Sequence, residues 1–204
     1  YNVSKEIKSN SQSRIISGIR SFFDYLLFEG LIESNPVINI ESPKLSRKLP
    51  STLSEDEINI LIKNINKNKN ESERNIAIIE TLYGCGLRVS ELIGLKISDI
   101  DWAQGQIRVL GKRNKERLVP IIPALATTLK HYVTQRKNWP GASVHSFLLV
   151  TNKGNKTYPA FVYRLIKTYF RSVSNKISTS PHVLRHSFAT HMLDAGVDIN
   201  VVKE

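Results

Sequence analysis

The stretch GCGLRVSELIGLKISDID, residues 84–101, passes from two glycines into a short run with the apolar spacing of a helix. Glycine interrupts regular structure, so the glycine pair ends a helix that the preceding sequence predicts over residues 73–84. The run VSELIGL then predicts a second helix over residues 88–95. The stretch therefore predicts two consecutive helices, separated by a short turn at the two glycines.

Arg88 stands at the predicted start of the second helix. A helix start that carries an arginine can bind a phosphate through backbone N–H groups and the guanidinium together. The alternative is an ion pair with Glu91, which lies on the same helix face. This stretch alone leaves both interpretations open.

A hairpin is predicted next along the chain. The segments QIRVL, residues 106–110, and RLVPI, residues 117–121, flank the polar turn GKRNKE, residues 111–116. Two short strands around such a turn predict an antiparallel pair. The turn and the second strand carry a group of basic residues, Lys112, Arg113, Lys115 and Arg117. Such a group is typical of a solvated loop, but a lysine on a mobile hairpin can also enter a groove and deliver a proton.

The segment SPHVLRHSFATHMLDAG, residues 180–196, predicts a helix over residues 182–195. The spacing of His182 and Arg185 places both on one face of its first turn. This pair suits a phosphate in reaction, because arginine neutralises its oxygens while histidine transfers a proton. His182 and His186 could share a metal ion, but no glutamate completes an HExxH motif. We therefore predict no metal and no cofactor.

The remaining pattern predicts a mainly α fold with a small antiparallel β-sheet. A capping box at Ser54 and Glu57, with Leu53 and Ile58 as a hydrophobic staple, begins the larger domain. Further predicted elements are helices near residues 55–65, 123–138 and 159–175, and a possible strand over residues 147–150. The single cysteine, Cys85, excludes a disulfide framework and a zinc site built from several cysteines.

The first part of the chain differs in character from the rest. Apolar residues from Ile15 to Leu27 follow the spacing of an amphipathic helix, which cannot bury its apolar face alone. We therefore interpret residues 1–41 as the C-terminal part of a helical domain. Residues 42–51, SPKLSRKLPS, have the composition of an extended basic linker. Residues 52–204 form the larger domain.

The chain has 29 basic and 18 acidic residues, a net charge of +11. A strongly basic surface favours a polyanionic partner, most simply nucleic acid, although the charge could also serve solubility alone. No apolar run is long enough for a membrane span and no signal-type segment is present, so we expect a cytoplasmic protein without a membrane partner.

Taken in order, the three motif segments strongly resemble the catalytic domain of tyrosine recombinases, particularly the Xer-type and phage-integrase branch. The resemblance runs from about residue 51 to the end, and residues 1–41 resemble the last part of that family's helical core-binding (SAM-like) domain. It implies that Arg88 and Arg185 clamp the scissile phosphate, that His182 belongs to a His-x-x-Arg pair with Arg185, and that Lys112 is the general acid. The implied reaction is metal-independent DNA recombination or integration through a 3′-phosphotyrosyl intermediate and a Holliday junction.

The family's second histidine (or tryptophan) and its tyrosine nucleophile belong beyond the His-x-x-Arg helix, past Glu204. No tyrosine of this sequence occupies that place; Tyr163 and Tyr169 are predicted to be packing residues. We therefore expect segments both before Tyr1 and after Glu204, and we expect residues 1–204 alone to bind DNA without cutting it.

The resemblance also implies duplex DNA as the partner, bound by a homo- or hetero-tetramer on paired sites. The expected DNA-binding residues are Lys44, Arg47, Lys48, Arg113, Lys115 and Arg117. Two alternatives from other classes remain: a non-catalytic DNA-binding integrase homologue, and a metal-dependent nuclease.

Overall fold

The structure is a computed structural model that describes residues 7–44, 51–65, 71–111, 114–171 and 180–198. It divides the chain into two compact units, Tyr1–Leu49 and Pro50–Glu204, and each is described here by itself. Of the helices in the described part of the chain, none combines the length and the apolar character that crossing a bilayer requires.

The first unit consists of one long helix and the segment that folds back along it. Helix α1 spans Ser9–Phe28 and is followed by Gly30, whose positive φ of 69° lets the chain turn. Arg20 then donates to the carbonyl of Ile40 at 2.7 Å, and Asn35 donates to Asp24 at 2.6 Å. Asn35 is the only buried residue among those described in this unit, so the predicted apolar stripe of α1 is largely exposed.

The second unit contains six α-helices and a three-stranded antiparallel sheet within its described residues, which confirms the predicted mainly α fold. The helices are α2 (Glu55–Lys63), α3 (Ser72–Gly84), α4 (Val89–Gly94), α5 (Pro123–Arg136), α6 (Pro159–Phe170) and α7 (Pro181–Asp194). The strands are β1 (Ile100–Asp101), β2 (Gln106–Leu110) and β3 (Glu116–Pro120), in the order β1-β2-β3.

Helix α3 lies at the centre of this unit and packs against α4, α5, α6 and α7. Its residues Ala77 and Ile78 are completely buried in the common core. The predicted capping box at the start of α2 is confirmed: the Ser54 hydroxyl accepts from the Glu57 backbone N–H at 3.2 Å, and Glu57 accepts from the Ser54 N–H at 2.8 Å. Helix α2 therefore begins where the sequence predicts.

The register of the hairpin decides which side chains face the core. Val109 is opposite Arg117, while Arg108 is opposite Leu118. Successive residues of a strand point to opposite faces. Val109 is buried whereas Arg108 and Leu118 are exposed, so Arg117 belongs to the core-facing side of the sheet.

Two predicted elements differ from the structure. Residues 147–150 make only isolated bridges, Lys96 to Phe147 and Val150 to Lys156, because their neighbours are loop segments and not strands. The helix predicted over residues 159–175 ends at Phe170, and residues 172–179 lie outside the described part of the chain.

Candidate active site

Arg88 is the residue that precedes α4, and Glu91 holds it at two points. The Arg88 backbone N–H donates to Oε2 of Glu91 at 2.9 Å, and its Nη1 donates to Oε1 at 2.7 Å. The ion pair that the sequence left open is therefore present. Since a guanidinium carries five N–H donors and Arg88 remains 38% exposed, the pair leaves donors that can reach an anion.

Glu91 binds a second arginine from the hairpin. Arg117 on β3 donates from Nη1 to Oε1 at 3.2 Å and from Nη2 to Oε2 at 3.0 Å. The Glu91 side chain is only 3% exposed. Burial by itself raises the pKa of Glu91, but the hydrogen bonds from Arg117 and Arg88 outweigh it and lower the pKa to about 2. Glu91 is therefore ionised at neutral pH.

The turn between α3 and α4 also contacts α7, and Arg185 of α7 binds to it. Gly86 in this turn has a φ of +56°, and a Cβ on it would lie 2.4 Å from the ring of Phe188. Only glycine allows this close approach of α7. The carbonyl of Gly86 accepts a hydrogen bond from Nη1 of Arg185, across 99 residues of sequence.

Helix α7 is also fixed at its first turns. The Ser187 hydroxyl, completely buried, accepts from the backbone N–H of Leu53 at 2.8 Å and donates to the carbonyl of Val183 at 2.9 Å. The Ser180 hydroxyl accepts from the backbone N–H of His182 at 3.4 Å. These contacts hold the turn that carries His182 and Arg185.

Arg88, Arg117, Arg185 and Glu91 form what we call the arginine cluster. Burial lowers the pKa of Arg185, and the positive charges of Arg88 and Arg117 lower it further, while Glu91 opposes the shift. Arginine stays protonated at neutral pH, so the cluster carries two more positive than negative charges. This concentration of charge is suited to binding a phosphate.

His182 is exposed one helical turn before Arg185, and its Nε2 lies 3.5 Å from the hydroxyl of Tyr163 on α6. Tyr163 was predicted to pack but is 39% exposed, whereas Tyr169 does pack against the core. The predicted site residues that are described are therefore two arginines that contribute to the cluster and an exposed histidine one helical turn before Arg185.

Comparison with known proteins shows to which family this chain belongs. The model of the phage integrase family matches residues 51–204, three quarters of the chain. This chain belongs to the phage integrase family. Its relatives include tyrosine recombinase XerC of Chlorobaculum tepidum, 37% identical over 97% of this chain and 65% of that protein, and tyrosine recombinase XerD of Shewanella oneidensis, 38% identical over 100% of this chain and 68% of that protein. The chain thus spans about two thirds of the length of these relatives.

Comparison with solved structures likewise shows the fold of this family. The XerA recombinase aligns with a TM-score of 0.67 at 28% identity, covering 99% of this chain and 68% of that one. The XerH recombinase, bound to its palindromic difH substrate in a post-cleavage complex, aligns with a TM-score of 0.80 at 24% identity, covering 100% of this chain and 60% of that one. Together they show that the fold is that of the tyrosine recombinases.

The basic residues that the sequence assigns to DNA binding, and Lys112, differ in their exposure and in whether the structure describes them. Lys44 in the first unit and Lys115 in the second are exposed. Arg117 is 21% exposed and engaged by Glu91. Four others lie outside the described residues: Arg47, Lys48, Lys112 and Arg113. The described ends of the hairpin turn lie close together, since the N–H of Gly111 donates to the carbonyl of Lys115 at 2.7 Å.

The titratable groups also include side chains that can bind a metal ion and the single cysteine, Cys85. Among the described residues, no group of three or more histidine, cysteine or acidic side chains is placed to hold a metal ion. Burial raises the pKa of Cys85 to about 12, against a smaller opposing effect of Arg117, so its thiol is neutral in the core.

Sequence reasoning missed the shared role of Glu91 and the inward position of Arg117. The local pattern did not indicate the position of Arg117, because Arg117 is charged and its neighbour Leu118 is apolar, and alternation would predict that Leu118 is the buried one of the two; the structure exposes Leu118. No local pattern could have indicated that Glu91 binds residues from two elements at once.

Proposed function

We propose that this chain is the greater part of a site-specific DNA recombinase that cleaves and rejoins duplex DNA without a metal ion. The observation that carries the proposal is the convergence of Arg88 and Arg185, from separate elements, on a cluster with excess positive charge. The chemistry it fits is the neutralisation of a phosphate whose charge grows in the transition state.

In the proposed reaction a tyrosine oxygen attacks the scissile phosphorus, and the bond from phosphorus to the 5′-oxygen breaks. Arg88 and Arg185 bind the non-bridging oxygens, and His182 accepts the proton that the tyrosine hydroxyl loses as it attacks. Lys112 gives a proton to the departing 5′-oxygen, which leaves a 3′-phosphotyrosyl bond and a free 5′-hydroxyl. The reverse attack by a 5′-hydroxyl of another duplex rejoins the DNA. We place the nucleophile in sequence that follows Glu204.

Basic residues outside the arginine cluster supply affinity for DNA in this proposal. Phosphate contacts provide most of the binding free energy of such proteins without reading sequence. We assign these contacts to Lys44, Arg47, Lys48, Arg113 and Lys115. Exchange of four strands between two sites through a Holliday junction requires four active sites, so we propose a homo- or hetero-tetramer on paired DNA.

The decisive experiment measures cleavage of a nicked suicide duplex, in which the cut strand cannot be religated, by the full-length protein. Arg88→Ala and Arg185→Ala should each lower the cleavage rate by on the order of 10²–10³, because each guanidinium binds charge that develops in the transition state. DNA affinity should fall far less, since many other phosphates hold the duplex. The control is Arg108→Ala, which removes an exposed arginine paired with Asp99 at 3.3 Å.

Three outcomes bear on the proposal. Cleavage by Arg88→Ala at the parent rate would overturn the assignment of that residue. Loss of cleavage in a chelator would favour the metal-dependent nuclease. DNA binding with no cleavage by the full-length protein would favour the non-catalytic integrase homologue. Residues 1–204 alone should bind the duplex and leave it intact.

A further inference from the structure

Arg117 differs from the exposed hairpin residues Arg108 and Lys115 because its side chain turns towards the core. It is in register with buried Val109, and its side chain is 21% exposed. Gly111 leaves it room: a Cβ on that glycine would lie 3.4 Å from Nη1 of Arg117 and 3.3 Å from the carbonyl oxygen of Lys115. The guanidinium therefore lies against the glycine at the end of β2, beside α4.

The bonds of Glu91 connect Arg117 to Arg88. Each carboxylate oxygen accepts one bond from each arginine: Oε1 from the two Nη1 atoms, and Oε2 from the Arg88 N–H and Nη2 of Arg117. The paired bonds from Arg117 fix the plane of the carboxylate, since such fork-to-fork pairs are geometrically specific. The plane of the carboxylate in turn fixes where Nη1 of Arg88 lies.

Arg117 also decides the charge that Arg88 presents. A carboxylate bound to Arg88 alone would cancel the charge of that guanidinium. Because Glu91 is shared with Arg117, the cluster keeps an excess of two positive charges, which the proposed function places at the scissile phosphate. Removal of Arg117 would halve this excess and release the carboxylate from its plane.

We propose that Arg117 is a positioning residue for DNA cleavage that acts through Glu91 to orient Arg88 at the scissile phosphate. The inference rests on the proposed function. It assigns Arg117 a role that differs from the phosphate contact expected from its position in a basic run. It also differs from a role in the placement of Lys112, which lies in the same hairpin.

The experiment compares Arg117→Ala, Arg117→Lys, Arg88→Ala and the control Arg108→Ala in the full-length protein. Arg117→Ala and Arg108→Ala each remove one positive charge from neighbouring strands, so a pure charge effect on DNA binding should be alike in the two. Arg117→Ala should slow suicide-substrate cleavage by up to about 10²-fold, the cost of displacing a reacting group by about 1 Å. Arg108→Ala should not slow it. Arg117→Lys, which keeps the charge but cannot form the paired bonds, should fall between.

Two modified substrates separate the possible roles. A methylphosphonate at the cleavage site removes one negative oxygen, so it should reduce the defects of Arg117→Ala and Arg88→Ala together. A 5′-bridging phosphorothiolate, which leaves without a proton, should restore neither. Restoration of Arg117→Ala by the sulfur substrate would overturn the inference and assign Arg117 to the placement of Lys112. Equal losses of DNA affinity and cleavage would assign it to a phosphate contact.

Folding is followed by circular dichroism. If Arg117→Ala does not fold, the same two substrates are applied to Arg117→Lys, and a defect in that variant that the methylphosphonate leaves unchanged would refute the inference. If Arg88→Ala cleaves normally, the proposed function fails; if Arg88→Ala is defective and Arg117→Ala is not, only the inference about Arg117 fails.

Discussion

Replacement of Glu91 by glutamine tests the electrostatics of the arginine cluster directly. The pKa of the Glu91 carboxyl is about 2 in the folded chain, against an ordinary value of 4.5. Since one unit of pKa corresponds to 1.36 kcal/mol, the ionised carboxylate stabilises the fold by about 3 kcal/mol at pH 7. This agrees with the cost of about 3–5 kcal/mol for removing one partner of a buried ion pair. Glu91→Gln should therefore lower the free energy of unfolding by about 3 kcal/mol at pH 7.

The pH dependence of this difference has a definite sign. Folding lowers the pKa of Glu91, so its contribution is fully present above about pH 4.5 and is lost as the pH falls through 2. Between pH 7 and pH 3 the difference between parent and variant should shrink from about 3 to about 1.4 kcal/mol. Other titrating groups are common to both proteins and cancel in the difference.

The assay is urea unfolding of residues 1–204 followed by circular dichroism at pH 7, 5, 4 and 3. The matched control is Glu73→Gln, which removes a carboxylate from a more exposed pair with His131 at 3.0 Å and should cost no more than about 1 kcal/mol. A Glu91→Gln difference that is constant from pH 7 to pH 3 would refute the reasoning, because it would show that shape and not charge makes Glu91 stabilising.

Two further predictions concern DNA. Binding to duplex DNA should weaken by roughly 10³–10⁵ between 50 and 200 mM salt if about six to ten phosphates are contacted; filter binding or fluorescence anisotropy measures it, and a flat response would contradict the prediction. Lys112→Arg should be as defective in cleavage as Lys112→Ala, because arginine keeps the charge but cannot release a proton at neutral pH. A 5′-bridging phosphorothiolate should rescue both variants, whereas Lys115→Ala should lose only modest affinity and show no such rescue; if Lys112→Ala is not rescued, another residue is the general acid.

Because Arg88 and Arg117 share Glu91, one carboxylate reduces the repulsion among the three arginines of the cluster. Three guanidiniums close together repel one another, as the lowered pKa of Arg185 reflects beside the effect of burial. One buried carboxylate holds Arg88 and Arg117 at fixed positions without neutralising the cluster. In the proposed function this holds the positive charge in place before the DNA phosphate binds, which is the arrangement that electrostatic catalysis requires.

Much of the fold could be predicted because its signals are local. The capping box at Ser54 and the hairpin over residues 106–121 depend on residues only a few positions apart, and both are confirmed. The prediction was wrong for residues 147–150, where apolar, β-prone residues form bridges to loops. Strand formation there depends on the available partner, which the local pattern does not contain.

The sequence by itself determined the family and the order of its motifs, and it predicted two arginines and a histidine for the site, since these depend on residue type and spacing. It also determined that Arg117 alternates with Leu118 along β3. Only the tertiary structure decided that Arg88 and Arg117 share Glu91, and that Arg185 reaches the turn at Gly86. The physical reason is that these contacts depend on how α7 and the hairpin pack around α4. Packing of this kind joins side chains far apart in the chain and leaves no periodic pattern in the sequence.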